Sequence, residues 1–296
     1  MDLSRLKFTD HPQNPLIRPP FPEALIADPF VISPQSSPDG LWHLFAHSLI
    51  GLRQYTSGDG FSWSAPSSPI FYFAYRPFVY QERGVFYLIY EKILNPLNLP
   101  YYDSRLEISS SSNLVTWSPP QTLLSPALPW HKTANRQGNL GNPCLIKINH
   151  TYRLYYSSGL IYQPGNGFCE PAFTGYAGST HLLGPYSFHP RPLTWAHSPT
   201  DKHVSAIRVY RYRRQFMALQ TVFRSSTSSL CLTVSSDGIN WEKNSHSIVS
   251  SDKPWKKSYV YVGSLIKIGR EFRIYYNARS GRRFGTESIG LATAAL

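Results

Sequence analysis

Methionine is nearly missing from this chain, with two in 296 residues, and cysteine is scarce, with three. Cys144, Cys169 and Cys231 are odd in number and show no Cys-x-x-Cys spacing, which argues against a disulfide framework or a zinc site and fits a reducing compartment. Charge is also low, at 16% of residues, while aromatics reach 15%, a balance that excludes a disordered chain. No apolar run approaches the roughly 20 residues of a membrane span. The opening MDLSRLKFTDHPQNP has no apolar signal core, so the expectation is a soluble, cytoplasmic protein with no membrane partner. Long runs of Ala, Leu, Glu and Lys are missing as well. What is present instead is 20 Tyr, 16 Phe, 7 Trp, 25 Pro and 19 Gly, the residues of strands and turns.

The net charge of +12 is uneven. Residues 201–296 hold 16 Lys and Arg against 6 Asp and Glu, a surplus that draws nucleic acid, an anionic surface or an anionic substrate, or else lies on solvated strand faces. No nucleic-acid recognition motif accompanies it, so nucleic acid is not an expected partner.

A short pattern, Ser-x-Asp/Asn-x-x-x-Trp, recurs at Ser57 to Trp63, Ser111 to Trp117 and Ser235 to Trp241, with a variant from Ser179 to Tyr186. The period of about 55 residues is that of propeller blades with inserted loops. Paired strands precede each turn: Asp28–Ile32 with Leu41–Phe45, Arg76–Tyr80 with Val85–Tyr90, and Asn142–Ile146 with Tyr152–Tyr156. Ala206–Tyr210 with Gln215–Leu219 and Gly263–Lys267 with Phe272–Tyr276 complete the set. Five hairpins, each extended by further strands, make five four-stranded blades. The fifth unit lacks an outer strand and the segment before Asp28 lacks a partner. The expectation is therefore an all-β fold, one five-bladed β-propeller domain over residues 1–296, its ring closed by an amino-terminal strand near Pro12 to Ile17 in the last blade.

In such a ring the starts of the first strands and the loops after the second strands share one mouth. The strand starts offer Asp28, Arg76, Asn142, Ser205 to Arg208, and Tyr261; the loops offer His47, Glu91 to Asp103, Gly159 to Glu170, Arg224, and Asn277 to Glu287. Polar groups converging on one axis mark a binding site.

Ala27-Asp28-Pro29 at an inner strand, the Ser-x-Asp-x-x-x-Trp turns, the tyrosine-rich second strands and Gly184-Pro185-Tyr186 together resemble the five-bladed glycoside hydrolases of family 43 and their relatives in families 32, 62, 68, 117 and 130. The resemblance implies an inverting glycosidase with a blade-one Asp as general base, a blade-three Asp that orients, and a blade-four Glu as general acid. Asp28 matches the base. Asn142-Pro143 stands where the family has Asp-Pro, and His203 to Arg208 replaces the blade-four Glu-Gly-Pro, so the acid is missing from its usual place. Glu170, flanked by aromatics, and Glu91, after Tyr90, are the candidate acids, while Glu287 is read as bracing Arg279 beside the sugar.

His47, Arg76, Asn142, Arg208, Tyr261 and Arg279 are candidate substrate ligands. The arginines fit an anionic sugar or phosphate. Three readings therefore stand: a glycoside hydrolase, a phosphate-dependent phosphorylase of the same fold, and a non-catalytic glycan-binding propeller. No cofactor or metal is expected from any ligand spacing, and the oligomeric state stays open.

Overall fold

The computed structural model describes residues 6–98, 100–133, 137–163, 167–193, 203–212, 214–224, 227–242, 246–282 and 285–295. Their strands form five four-stranded antiparallel sheets arranged in a ring, a five-bladed β-propeller. The chain enters on β1 (Thr9–Asp10). Blade one is β2 (Ile26–Ile32), β3 (Trp42–Ser48), β4 (Gly51–Ser57) and β5 (Phe71–Tyr72), and blade two is β6 (Ala74–Glu82), β7 (Val85–Ile93), β8 (Ser104–Ser111) and β9 (Gln121–Leu124). Blade three is β10 (Gly141–Ile148), β11 (Thr151–Gln163), β12 (Phe168–Ser179) and β13 (Ser187–Phe188). Blade four is β14 (His203–Tyr212), β15 (Gln215–Phe223), β16 (Ser228–Ser235) and β17 (His246–Ser250). Blade five joins β18 (Tyr259–Ile268), β19 (Glu271–Arg279) and β20 (Glu287–Ala295) to β1. No helix in the described residues is long and apolar enough to cross a membrane.

Closure differs from expectation in its residues. Thr9 and Asp10 pair with Thr293 and Ala292, upstream of the Pro12 to Ile17 segment. Pro12 and Pro15 have no N–H to give a ladder, which moves the strand to where donors exist. Asn14 still clamps Leu291, donating to its carbonyl at 2.8 Å and accepting its N–H at 2.9 Å, and Ile17 bridges Ile289. Asp10 is pinned by Lys256 at 2.8 Å and the Tyr276 hydroxyl at 2.6 Å.

The recurrent turns lie at the base of the ring. Asp59 Oδ1 accepts the N–H groups of Phe61 and Ser62 at 2.7 and 2.8 Å, and Asp237 does the same for Ile239 and Asn240, both at 2.8 Å. Those backbone bonds hold the Asp59 carboxyl down to about 2. Gly60 and Gly238 have φ of 78° and 72°, and their carbonyls accept the hydroxyls of Tyr275 and Tyr155 from the preceding blades at 2.9 and 2.8 Å. A Cβ at Gly238 would lie 2.7 Å from the Tyr155 hydroxyl, so this turn needs glycine. In blade two the glycine is replaced by Leu114, and the facing residue is Phe45, which has no hydroxyl and stands edge-on to Trp117 at 5.8 Å. The clasp is kept between blades by apolar packing there.

The innermost strands carry the feature that positions the site. Each slips register once: between Ala27 and Phe30, Tyr75 and Phe78, Gly141 and Cys144, Ser205 and Ile207, and Tyr261 and Ser264. Inside four of these bulges sits a non-glycine residue with positive φ: Asp28 at 52°, Arg76 at 54°, Asn142 at 48° and Ala206 at 50°. Each such conformation costs about 1–2 kcal/mol, and it re-aims the side chain out of the pleat.

Candidate active site

The bulges floor a pocket at the mouth of the ring. Asp28, Arg76, Asn142 and Ala206 all line it, as do His47, Ser205, Tyr261, Asn277 and Glu287, around about 820 Å³ of space that includes its open mouth.

A second ring of side chains holds the bulges in place. The residue on the second strand opposite each bulge is His47, Glu91, Ser157, Thr221 and Asn277 in turn. Several of these reach into the next blade. Asn277 Oδ1 accepts the Asp28 N–H at 3.1 Å, His47 Nδ1 accepts the Arg76 N–H at 3.3 Å, and Ser157 Oγ accepts the Ala206 N–H at 3.3 Å. The strained backbone groups are thereby satisfied by side chains rather than by a ladder.

Asp28 is the centre of the floor. Burial pushes its carboxyl above the ordinary 3.8, the charges of Arg76 and Arg208 partly offsetting this and that of Glu91 adding to it. Arg76 Nε lies 3.8 Å away, and His47 Nδ1 lies 3.5 Å away. Burial and the Arg76 charge hold His47 well below its usual value, so the ring is neutral. With Nδ1 taking the Arg76 N–H, its proton belongs on Nε2. The ring stacks on Tyr75 at 4.7 Å.

Glu91 takes a different role from a general acid. It is fully enclosed and does not line the pocket; Arg76 Nη1 lies 2.5 Å from Oε2, and Ser104 donates to Oε1 at 2.7 Å. A Cβ at Gly141 would meet Oε2 at 2.3 Å, so the glycine makes room for this carboxylate. Arg76 is thus held from beneath by Glu91 and from the side by the Tyr102 hydroxyl at 2.9 Å.

Arg208 also departs from expectation. Its side chain is buried on the axis below the pocket, donating to the carbonyls of Pro143 and, at 2.8 Å, Pro77, with the guanidinium 5.4 Å over Phe78. It ties blade four to blades two and three and contacts no pocket space. Arg279 stands behind the wall, paired with Glu287 Oε1 at 2.9 Å and donating to the Arg282 carbonyl at 2.8 Å. Burial raises the Glu287 carboxyl, with Arg279 opposing that and the Asp28 charge reinforcing it. Glu287 Oε2 accepts from Asn277 Nδ2 at 3.2 Å, so Asn277 links Asp28 to Glu287.

Glu170 reaches the pocket from blade three. Strands β11 and β12 run beyond the rest of the blade as a hairpin, pairing Ile161 with Glu170 and Gln163 with Phe168. Phe168, Cys169 and Glu170 all line the pocket, and the Phe168 ring meets the Arg279 guanidinium of blade five at 5.0 Å. The hairpin therefore leans across the mouth. The Glu170 charge adds to those that keep Arg76 protonated and Tyr102 neutral.

Of the residues expected from sequence, Asp28, His47, Arg76, Asn142, Glu170, Tyr261 and Glu287 come together around one cavity, while Glu91, Arg208 and Arg279 support it from outside. Asn277 and Tyr102 were expected at the mouth only as parts of loop ranges, without individual roles, and Tyr75 was not singled out. Aligning the second strands on their hairpins gives Asn277 its individual role, since it shares a register with His47 and Glu91. No cluster of His, Cys, Asp and Glu among the described residues could hold a metal ion.

The fold and site together define a five-bladed propeller with an axial pocket floored by an ion-paired carboxylate. No protein-family model matches the chain, and no curated protein matches its sequence. Solved structures do. An N-acetylgalactosamine deacetylase from F. plautii, in complex with blood group B trisaccharide, shares 15% identity over 98% of this chain and 96% of its own, with a TM-score of 0.69. A structure from the GH130 family of mannoside phosphorylases, described as containing glycoside hydrolases that target β-1,2 mannosidic linkages in Candida mannan, gives 12%, 98%, 95% and 0.69. The catalytic domain of the Coprinopsis cinerea GH62 α-L-arabinofuranosidase gives 17%, 98%, 98% and 0.66. At these identities the likeness establishes the five-bladed fold.

Proposed function

We propose that the protein is a glycoside hydrolase that cleaves a glycosidic bond in a carbohydrate with inversion, Asp28 acting as general base and Glu170 as general acid. The observation that carries this reading is the presence, in one pocket, of a buried blade-one carboxyl raised above its ordinary range and a second carboxyl brought in by the blade-three hairpin. Asp28 takes a proton from a water on one face of the sugar while Glu170 gives one to the departing oxygen, the division of labour of an inverting enzyme. Arg76 keeps Asp28 in place and is itself held by Glu91. His47, Asn142 and Tyr261 offer hydrogen bonds to sugar hydroxyls.

Hydrolysis is favoured over phosphorolysis by how the arginines are engaged. Arg76 is paired with Glu91, Arg208 with two carbonyls, and Arg279 with Glu287. An anionic sugar or a phosphate would meet the carboxyls of Asp28, Glu170 and Glu287 as well as the already paired Arg76. Ala206, at the blade-four bulge, favours one competing reading, a propeller that binds glycans without cleaving them. A screen of chromogenic glycosides with and without inorganic phosphate separates the readings. Phosphate-independent release of the free sugar is the expected result; a sugar phosphate product makes it a phosphorylase, and binding without turnover makes it a lectin-like propeller.

A further inference from the structure

The pocket has two tiers of opposite character. Its floor, at the bulges, is polar: Asp28, Arg76, Asn142, Ser205 and Asn277. Its upper wall is apolar and drawn from separate segments: Leu25, Leu49, Pro100 and Phe168. Leu25 is fixed just above the floor, bridged to Glu287. Leu49 stands 44% exposed at the β3–β4 turn, Pro100 follows the β7 end, and Phe168 comes over on the blade-three hairpin. Ile50, Leu94, Leu97, Ile161 and Tyr162 are also exposed, and all belong to the mouth segments of blades one to three. Exposed apolar groups gathered beside a pocket mark a surface that something covers.

What covers it follows from the position of the acid, and this step rests on the hydrolase reading above. A general acid protonates the leaving oxygen and so faces the leaving group. Phe168 and Cys169 directly precede Glu170 and line the same pocket, which puts these apolar groups beside the leaving group, with Leu49 and Pro100 contributed to the mouth by blades one and two. A second sugar there would gain no hydrogen bonds from Leu49, Pro100 and Phe168, whereas an apolar group would cover them and exclude water. The geometry points to a glycoside whose leaving group is apolar, an alkyl or aryl aglycone, with its sugar on the polar floor.

The test is a binding series on the wild-type protein by isothermal titration. Glucose, galactose, mannose, xylose and arabinose are each offered as the methyl glycoside, the n-octyl glycoside below its micelle concentration, the phenyl glycoside and a homodisaccharide. Full burial of a methylene is worth roughly fourfold in affinity, so even a partly buried octyl chain gives about tenfold or more over methyl. For the sugar that binds, the octyl or phenyl glycoside is expected to exceed both the methyl glycoside and the disaccharide, and Leu49→Asp, at a half-exposed position, to reduce that advantage to twofold or less. A disaccharide that binds more tightly than the octyl and phenyl forms, or an octyl advantage that Leu49→Asp leaves intact, overturns the apolar subsite while leaving the hydrolase reading standing. No binding by any sugar in any form overturns both.

Discussion

At the base of the ring, blades one, two and four close on the same turn, with Ser57, Ser111 and Ser235 and their partners Asp59, Asn113 and Asp237 making the same bonds. At the mouth the backbone also repeats, as a left-handed bulge, but the side chains it presents are Asp28, Arg76, Asn142 and Ala206. The base keeps its shape and its Ser and Asp or Asn bonds because its task, clasping the neighbouring blade, recurs, with apolar packing doing the clasping in blade two. The mouth keeps only the shape. One geometry aims a carboxylate, a guanidinium, an amide and a methyl group at a common centre, and that diversity is what a binding site requires.

Substitutions separate the two ends. Glu170→Gln, at the mouth, should lower turnover about 100-fold for a poor leaving group and much less for a p-nitrophenyl glycoside, which needs no protonation; steady-state kinetics with both substrates reads the difference. Asn277→Leu removes the acceptor of the Asp28 N–H and a donor to Glu287. A cost of about 1–3 kcal/mol in denaturant unfolding and a turnover loss near tenfold are expected, because Asp28 loses its positioning as well as the fold its bond. Gly238→Ala, at the base, meets the Tyr155 hydroxyl and a φ of 72°. It should cost about 1–2 kcal/mol in stability while kcat/KM at 25 °C stays within twofold.

The same contrast governs what could be read without a structure. The base motif is spelled in residue types that its bonds and packing demand, Ser and Asp or Asn for the bonds and Trp for the packing, so the blades and their number were legible. Asp28, Arg76 and Asn142 were legible because polar residues led otherwise apolar strands. Ala206 fell within an expected strand start, but its bulge did not show, since alanine advertises neither a bulge nor a positive φ. Glu91 and Arg208 were misassigned for a related reason. Their chemistry suits a site, but whether a charged side chain meets a cavity or a buried partner depends on the facing blade, here Arg76 and Ser104 for the one and Pro77 and Pro143 for the other. Ring closure was legible as a need but not in its residues, because Pro12 and Pro15 displaced the strand to Thr9 and Asp10.

The central claim, that Asp28 is a catalytic base stored under strain and burial, is tested most directly by Asp28→Asn, with kcat/KM and Tm measured together at pH 7. Because the folded-state carboxyl is raised above 3.8, the native protein holds a proton that the unfolded chain releases, and stability falls as pH rises from 3.8 through the raised value. At neutral pH the buried charge is therefore a cost that asparagine removes. The account predicts a fall in kcat/KM of about 10²-fold to 10⁴-fold with Tm unchanged or higher. Turnover within a few-fold of wild type, in a variant with an undiminished Tm, would contradict it.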